Sequence, residues 1–189
     1  MLLFMRCANR QVTLSVQGVD RKRDEYKGCG GTIHMEKTNE KYGAYIQILR
    51  EELIPAMGCT EPIAVAYAAA VARQTLGELP DKVIVGASGS IIKNVKSVIV
   101  PNTDNMKGLN TAAAAGIVAG KPEKELEVIA EVTPEQTEEI KEFLKTAEIT
   151  VEHVENGNTF DIVISVFKGE KSAKVRIANY HTNIVYIEK

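Results

Sequence analysis

The sequence predicts an α+β protein: Ala-rich buried helices with a short sheet, followed by a small α+β unit of one helix on an antiparallel sheet. Three observations carry this. Residues 63–72 are apolar on every side and Lys107–Ala119 is a second Ala-rich stretch, which suits helices inside a core rather than on a surface. The last third alternates apolar and polar residues through Phe160–Phe167 and Ala173–Ile177, the period of half-buried strands. Between them lies Thr133-Pro134-Glu135-Gln136, a capping box with proline at the first helical position, which starts one amphipathic helix.

Composition narrows the function classes. The 189 residues are 44% hydrophobic and 25% charged, the mix of an ordinary globular chain. With 5% aromatic residues and no Trp, the core must be built from Ala, Val, Ile and Leu. A net charge of −2 argues against a nucleic-acid partner held by bulk charge. No apolar run reaches the length of a membrane-spanning helix, so no membrane partner is expected. Three cysteines, Cys7, Cys29 and Cys59, are odd in number and lack CxxC spacing, so a reducing, cytoplasmic setting is expected.

Residues 1–34 stand apart. They hold six basic residues against three acidic ones, with a strand-like alternation at Val12–Val16, a charge cluster at Arg21–Glu25 and Cys29 among glycines. We read the segment as an extra N-terminal stretch, disordered or preceding the natural start at Met35. A helix is predicted over 36–53, where Tyr42, Tyr45, Ile46, Leu49 and Leu53 share one face and read as core. Pro55 ends it.

The chain then reaches Gly58-Cys59-Thr60-Glu61-Pro62. Thr60 is a good N-cap, Glu61 suits the positive helix end, and Pro62 is tolerated in a first turn. A sulfur placed there would face unpaired backbone N–H groups, which favour the thiolate. On these features alone Cys59 is as readily a small buried residue as a reactive one. Gly77 and Pro80 end the helix.

Strands are predicted at Val83–Val85 and Ser97–Val100, separated by a loop of small residues that includes Ser88, Gly89, Ser90 and Asn94. Neither GxxxxGK[ST] nor GxGxxG occurs, so nucleotide binding has no support. Pro101–Asn105 is a polar turn, and Lys107–Ala119 a second Ala-rich helix expected to abut the first. Two such helices, each preceded by a polar turn, suggest a shared cleft at their N-termini. The remainder reads as a strand at Leu126–Ala130, the capped helix, a strand at Glu148–Val154, a hairpin at Asn156-Gly157, and strands ending at Ile187. His181 sits in the turn before the last strand. Three segments follow: 1–34; 35–122, carrying the cysteine motif; and 123–189, a small α+β domain.

Gly58–Pro62 with its Ala-rich helix, Ser88–Asn94, Ile99–Thr103 leading into Lys107–Asn110, and His181-Thr182-Asn183-Ile184 together resemble the L-cysteine desulfidase family, also described as the alpha chain of iron–sulfur L-serine dehydratases. The resemblance runs from about Met35 to the last residue. It implies a lyase that eliminates sulfide or water from L-cysteine or L-serine, giving pyruvate and ammonia. A [4Fe-4S] cluster held by three cysteines would bind the leaving group, because thiol and hydroxyl leave poorly without an electrophile. On this resemblance Cys59 is a cluster ligand. Glu61 and His181 are the candidate catalytic residues, and Thr60, Asn102, Thr103 and Asn183 contact substrate. Glu61 as a base and Glu61 as a dipole-stabilised cap both remain open.

Family members are longer, and their other cluster cysteines lie in a C-terminal half with no counterpart here. The chain is therefore expected to be an N-terminal portion, inactive alone and without a stable cluster, completed by a C-terminal half or a second copy of the chain. Two readings of other classes stand beside this one. The first is a non-catalytic α+β protein binding a small molecule or partner, with Cys59 structural. The second is a thiol enzyme with Cys59 as nucleophile and His181 as base, which needs the two side chains within hydrogen-bond reach.

Overall fold

A computed structural model describes residues 3–7, 10–14, 40–52, 56–155 and 158–189, with side chains of the 40–52 helix described over 42–48. The chain forms two units, Met1–Ile54 and Pro55–Lys189. In the first, β1 (Leu3–Cys7) and β2 (Arg10–Leu14) form an antiparallel pair, and α1 spans Glu40–Glu52. Tyr42 and Ile46 are half-buried there and Tyr45 is exposed, so these positions do not form the closed core expected of the stripe. Cys29, the Arg21–Arg23 patch and the Asn156-Gly157 hairpin lie outside the described residues.

The second unit is α+β, as expected. Its helices are α2 (Thr60–Leu76), α3 (Gly89–Val95), α4 (Gly108–Ala119), a 3-10 segment (Pro122–Glu127) and α5 (Pro134–Thr146). Its strands are β3 (Lys82–Ala87), β4 (Glu148–His153), β5 (Asp161–Lys168), β6 (Lys171–Ala178) and β7 (Ile184–Glu188). They form one sheet in the order β4-β3-β5-β6-β7. β4 pairs parallel to β3, and the other neighbours are antiparallel. The sheet is thus mixed, and β3 lies inside it between strands drawn from the last third of the chain. It spans the position between residues 122 and 123 where the sequence suggested a boundary.

Two local expectations are corrected. Ser97–Val100 is not a strand; only an isolated bridge joins Ile99 to Lys107. Residues 126–130 form the end of the 3-10 segment and a turn, because Lys121 N–H donates to Val128 O and Val128 N–H to Glu125 O, closing the backbone locally. The stretch before Ser97 is a helix, α3, with Ile91 and Val95 buried one turn apart.

α2 is the core element. Pro62 through Ala72 and Leu76 are buried, matching a segment apolar on all sides. It packs against β5 and β6, against α4 and against the 3-10 segment. The facing sheet residues Val83, Val85, Ile164, Val166, Val175 and Ile177 are fully buried. Each such side chain contributes about 1.5–3 kcal/mol of transfer free energy. Gly77 ends α2 at φ 88, the left-handed conformation that glycine adopts without a Cβ penalty. The capping box at Thr133/Gln136 forms in both directions, as expected.

At Gly116 the α2–α4 contact is made by backbone. A Cβ on Gly116 would stand 2.0 Å from Ala66 O, and one on Gly120 2.7 Å from Ala70 Cβ. Advancing four residues on α4 advances four on α2, so the helices run parallel and their N-termini lie at one end. A short loop joins α2 to β3, so that end is also where β3 finishes and β5 begins, Ala87 pairing with Ile162. There the buried Asp161 carboxylate accepts a fork from Arg176, Nε to Oδ1 at 3.0 Å and Nη2 to Oδ2 at 2.6 Å, and a bond from Asn158.

Gly116→Ala tests the helix contact. In an open helix this change is favourable by up to about 1 kcal/mol. Here the new methyl meets a carbonyl that cannot rotate away, so a net loss of about 2 kcal/mol or more is expected in urea unfolding. A neutral or stabilised variant would contradict the close approach.

Candidate functional site: a thiol and a carboxylate at the start of the core helix

The cysteine turn lies where the parallel helices begin. Gly58 is pressed close to Pro101: a Cβ there would sit 3.3 Å from the proline Cγ. Cys59, not Thr60, is the N-cap of α2, with φ −60 and ψ 121, and Thr60 is the first helical residue. No side-chain capping bond is made by Cys59. The sulfur is exposed and donates to Glu61 Oε2 at 3.2 Å. The sulfur, expected to face the helix N–H groups, makes no capping bond to them; Glu61, in the first turn, reaches back and accepts the hydrogen bond of the thiol. Thr60 Oγ1 donates to the same oxygen at 3.5 Å. The other oxygen, Oε1, accepts from Asn94 Nδ2 of α3 at 3.4 Å.

The structure therefore brings together Cys59, Thr60 and Glu61 and adds Asn94. Sequence reasoning placed Asn94 in a loop and gave it no role. The signal was available: Ile91 and Val95 at helical spacing bury one face of a short helix and turn Asn94 to another. Ser88 Oγ fixes the start of α3 by donating to Thr159 O at 2.7 Å.

The other candidates hold backbone. Asn102 has φ 56 and donates through Nδ2 to Ile129 O at 3.0 Å and Ala130 O at 3.1 Å. Thr103 is fully buried and donates to Val100 O at 2.7 Å. Asp104 and Asn105 also have positive φ, at 55 and 61, so the polar turn is a compact left-handed run of residue types that tolerate it. Asn183 Nδ2 donates to Ala178 O at 2.9 Å, tying the turn that carries His181. The His181 ring packs edge-on against Phe160 with centroids 4.5 Å apart.

Next to the carbonyls held by Asn102, Glu131 accepts ion-paired hydrogen bonds from Lys121 and Lys124. These cations bring its carboxyl from an ordinary 4.5 down to about 2. Lys141 Nζ bridges α5 to the polar turn through Asp104 Oδ2 at 2.9 Å. That hydrogen bond, and then the positive charge of Lys141, lower the Asp104 carboxyl below the ordinary range.

Among the described residues, no three or more His, Cys, Asp or Glu side chains converge in a way that could hold a metal ion. The cluster expected from the resemblance would have Cys59 alone of the described side chains as thiolate ligand, and we derive no step through it. Among the described residues no helix is long and apolar enough to cross a membrane.

No family model matches the chain. It is 53% identical over 157 residues to a UPF0597 protein of Desulfitobacterium hafniense, covering 83% of this chain and 36% of the relative. A UPF0597 protein of Lachnoclostridium phytofermentans is 46% identical over 148 residues, with 78% and 36% covered. One of Treponema denticola is 42% identical over 155 residues, with 82% and 36% covered. The chain thus spans little more than a third of these relatives' length. Their name states no activity. These matches overturn the assignment to L-cysteine desulfidase and the L-serine dehydratase alpha chain. The lyase function and iron–sulfur character drawn from that assignment fall with it. The alternative of a non-catalytic binding protein gains no support from these names either.

Two predictions follow from the polar turn and its neighbour. Asn102→Gly keeps the left-handed backbone but loses two hydrogen bonds, whereas Asn102→Ala loses the bonds and strains the backbone. Unfolding free energy should fall in the order wild type, glycine, alanine, with about 1–3 kcal/mol between the extremes; alanine equal to glycine would remove the conformational argument. For Glu131, a depressed carboxyl contributes stability above its unfolded value that is lost as pH falls through its folded one. The stability difference between wild type and Glu131→Gln should therefore be present at neutral pH and shrink between 4.5 and about 2. A pH-independent difference would refute the assignment.

Proposed function

We propose that this chain carries a thiol-dependent reactive site in which Cys59 is the nucleophile toward a small electrophilic substrate and Glu61 is its proton acceptor. The observation that supports this is the 3.2 Å contact from Cys59 Sγ to Glu61 Oε2 at an exposed position. An exposed sulfur is reachable, and a carboxylate in hydrogen-bond range can take its proton as a new bond forms. Two groups act on the sulfur with opposite sign. The positive end of α2 favours thiolate, and the carboxylate charge disfavours it while accepting the S–H hydrogen. With its S–H directed at the carboxylate, the thiol has a proton acceptor in place when an electrophile arrives. The sulfur then forms the new bond, Glu61 takes the proton, and the electrophile's leaving group departs with its electron pair. Glu61, rather than His181, is the base in this reading. A reducing, cytoplasmic setting belongs to the same proposal, since it keeps an exposed thiol from oxidation.

The test is the rate of Cys59 alkylation by iodoacetamide, followed by peptide mass spectrometry across pH, with the guanidinium-unfolded chain as reference. Here a sulfur–carbon bond forms, iodide leaves, and the thiol proton is lost. Glu61→Gln removes the charge while keeping a hydrogen-bonding side chain. Its profile should move to lower pH by about one unit as the neighbouring charge is removed, while the slower reaction of the protonated thiol at low pH, which needs Glu61 as base, should be lost. Coincident profiles for wild type and Glu61→Gln would show that the carboxylate does not govern the thiol, and the reading would fail.

A further inference from the structure

The geometry points to a second site, separate from the thiol: a groove on the outer face of the sheet that binds a small carboxylate with an apolar body, its head held by Arg176 and Lys174. α2 packs on the face of β5 and β6 that carries Ile164, Val166, Val175 and Ile177. Strand alternation sends Val163, Lys174 and Arg176 to the other face. A sheet face left to solvent is ordinary in itself. This one is shaped. Register places Gly86, Val163, Arg176 and Tyr186 in one row across β3, β5, β6 and β7. Gly86 makes room at one end: a Cβ there would stand 2.9 Å from Val154 Cγ2, so Val154 lies across the strand. At the other end the β6–β7 register shifts between Arg176 and Ile177, and Val185 joins the wall. The groove between them has a volume of about 450 Å³ and is lined by Val154, Val163, Lys174, Arg176, Val185 and Tyr186. Small-molecule sites run to roughly 300–1,000 Å³.

The charged lining of the groove is cationic. Arg176 is set from behind: its fork to the fully buried Asp161 uses Nε and Nη2 and fixes the plane of the guanidinium. Nη1 lies outside that fork, and the side chain keeps 35% of its surface exposed. A guanidinium fixed in this way presents its remaining donors with little further ordering to lose. Lys174 stands two residues away on the same strand face and is exposed. Asp161 offsets the charge of Arg176, so Lys174 supplies the net attraction and Arg176 the geometry. Glu188, opposite Lys174 in register, accepts from the Tyr186 hydroxyl at 2.8 Å and is not part of the lining. Three valines and the Tyr186 ring leave apolar surface for the rest of the ligand. A carboxylate suits the head because its oxygens accept from guanidinium and ammonium donors together. An aliphatic chain suits the walls.

The experiment titrates the full chain with octanoate and, separately, with its neutral amide, followed by backbone amide NMR. Octanoate should give saturable shifts centred on Val163, Lys174, Arg176 and Tyr186, with octanamide binding about tenfold more weakly. Lys174→Gln should weaken octanoate about tenfold, the effect of one charge-assisted hydrogen bond, and leave octanamide unchanged. Arg176→Gln alone would strand a buried carboxylate and destabilise the fold. It is therefore made together with Asp161→Asn, circular dichroism showing the fold kept, and this pair should also lose octanoate. No saturable shift, shifts centred elsewhere, or equal affinity for acid and amide overturns the site. Octanoate binding unchanged in Lys174→Gln overturns it as well. None of these outcomes bears on the thiol reading.

Discussion

The second unit depends on two helices meeting backbone to backbone. Where Gly116 of α4 lies on Ala66 of α2, no side chain separates them, and one turn further on Gly120 meets only the Ala70 methyl group. Two helices that touch at this distance cannot slide or rotate by a residue without driving a methyl group into a carbonyl, so their register is fixed. Because the pairing advances in step along both, the helices are parallel and begin at the same level. The Ala-rich composition is therefore a geometric requirement as much as a hydrophobic one. Larger apolar residues would bury more area but separate the axes and free the register.

The sheet orients this pair. β3 follows α2 after a short loop and then lies between β4 and β5, so the strand tied most directly to the cysteine helix sits inside a sheet completed by distant segments. β3 ends at the level where α2 begins. The chain leaving β3 enters α3 there, and the chain entering β5 passes there too, with Ser88 bonded to Thr159 across the gap. The thiol turn, α3 and the polar turn at Pro101 thus meet at one end, although they are separated in sequence.

Much of this was legible before the fold was seen. The buried helices, the capping box, the Gly77 terminator and the β5–β6 alternation are short-range signals, and short-range physics settles them. The packing of the two Ala-rich helices on each other was legible too, because only small residues permit it, although the closest approach is at Gly116 and Gly120 rather than at Ala112–Ala115. What failed was long-range or composed of small terms. Ser97–Val100 is rich in β-branched residues, yet it finds no strand to pair with beyond a single bridge at Ile99. Leu126–Ala130 is apolar because Leu126, Val128 and Ile129 are buried beneath a turn, not because they alternate across a sheet. At the site, Thr60 looked the better cap by residue type, but the chain puts Cys59 in that position. The polar turn looked functional from its residues, while Asn102 and Thr103 prove to be bonded to carbonyls that fold it.

The chemistry of the site reduces to a competition that sequence shows only in part. A cysteine at a helix start is ordinarily displaced toward thiolate by the helix end. The stabilisation is of order 0.3–1 kcal/mol at an exposed terminus. A carboxylate in contact opposes it with a Coulomb term of about 1 kcal/mol in bulk water at 4 Å, and more where solvent is partly excluded. The two are close in size, so the sign of the net effect depends on where the carboxylate is held rather than on which residues are present. Glu61 in the sequence Cys-Thr-Glu could point along the helix, into solvent or back to the sulfur. The structure has it pointing back, with its second oxygen on Asn94. The bond from Asn94, 33 positions away on another helix, is a contact that the residue types around Cys59 do not announce.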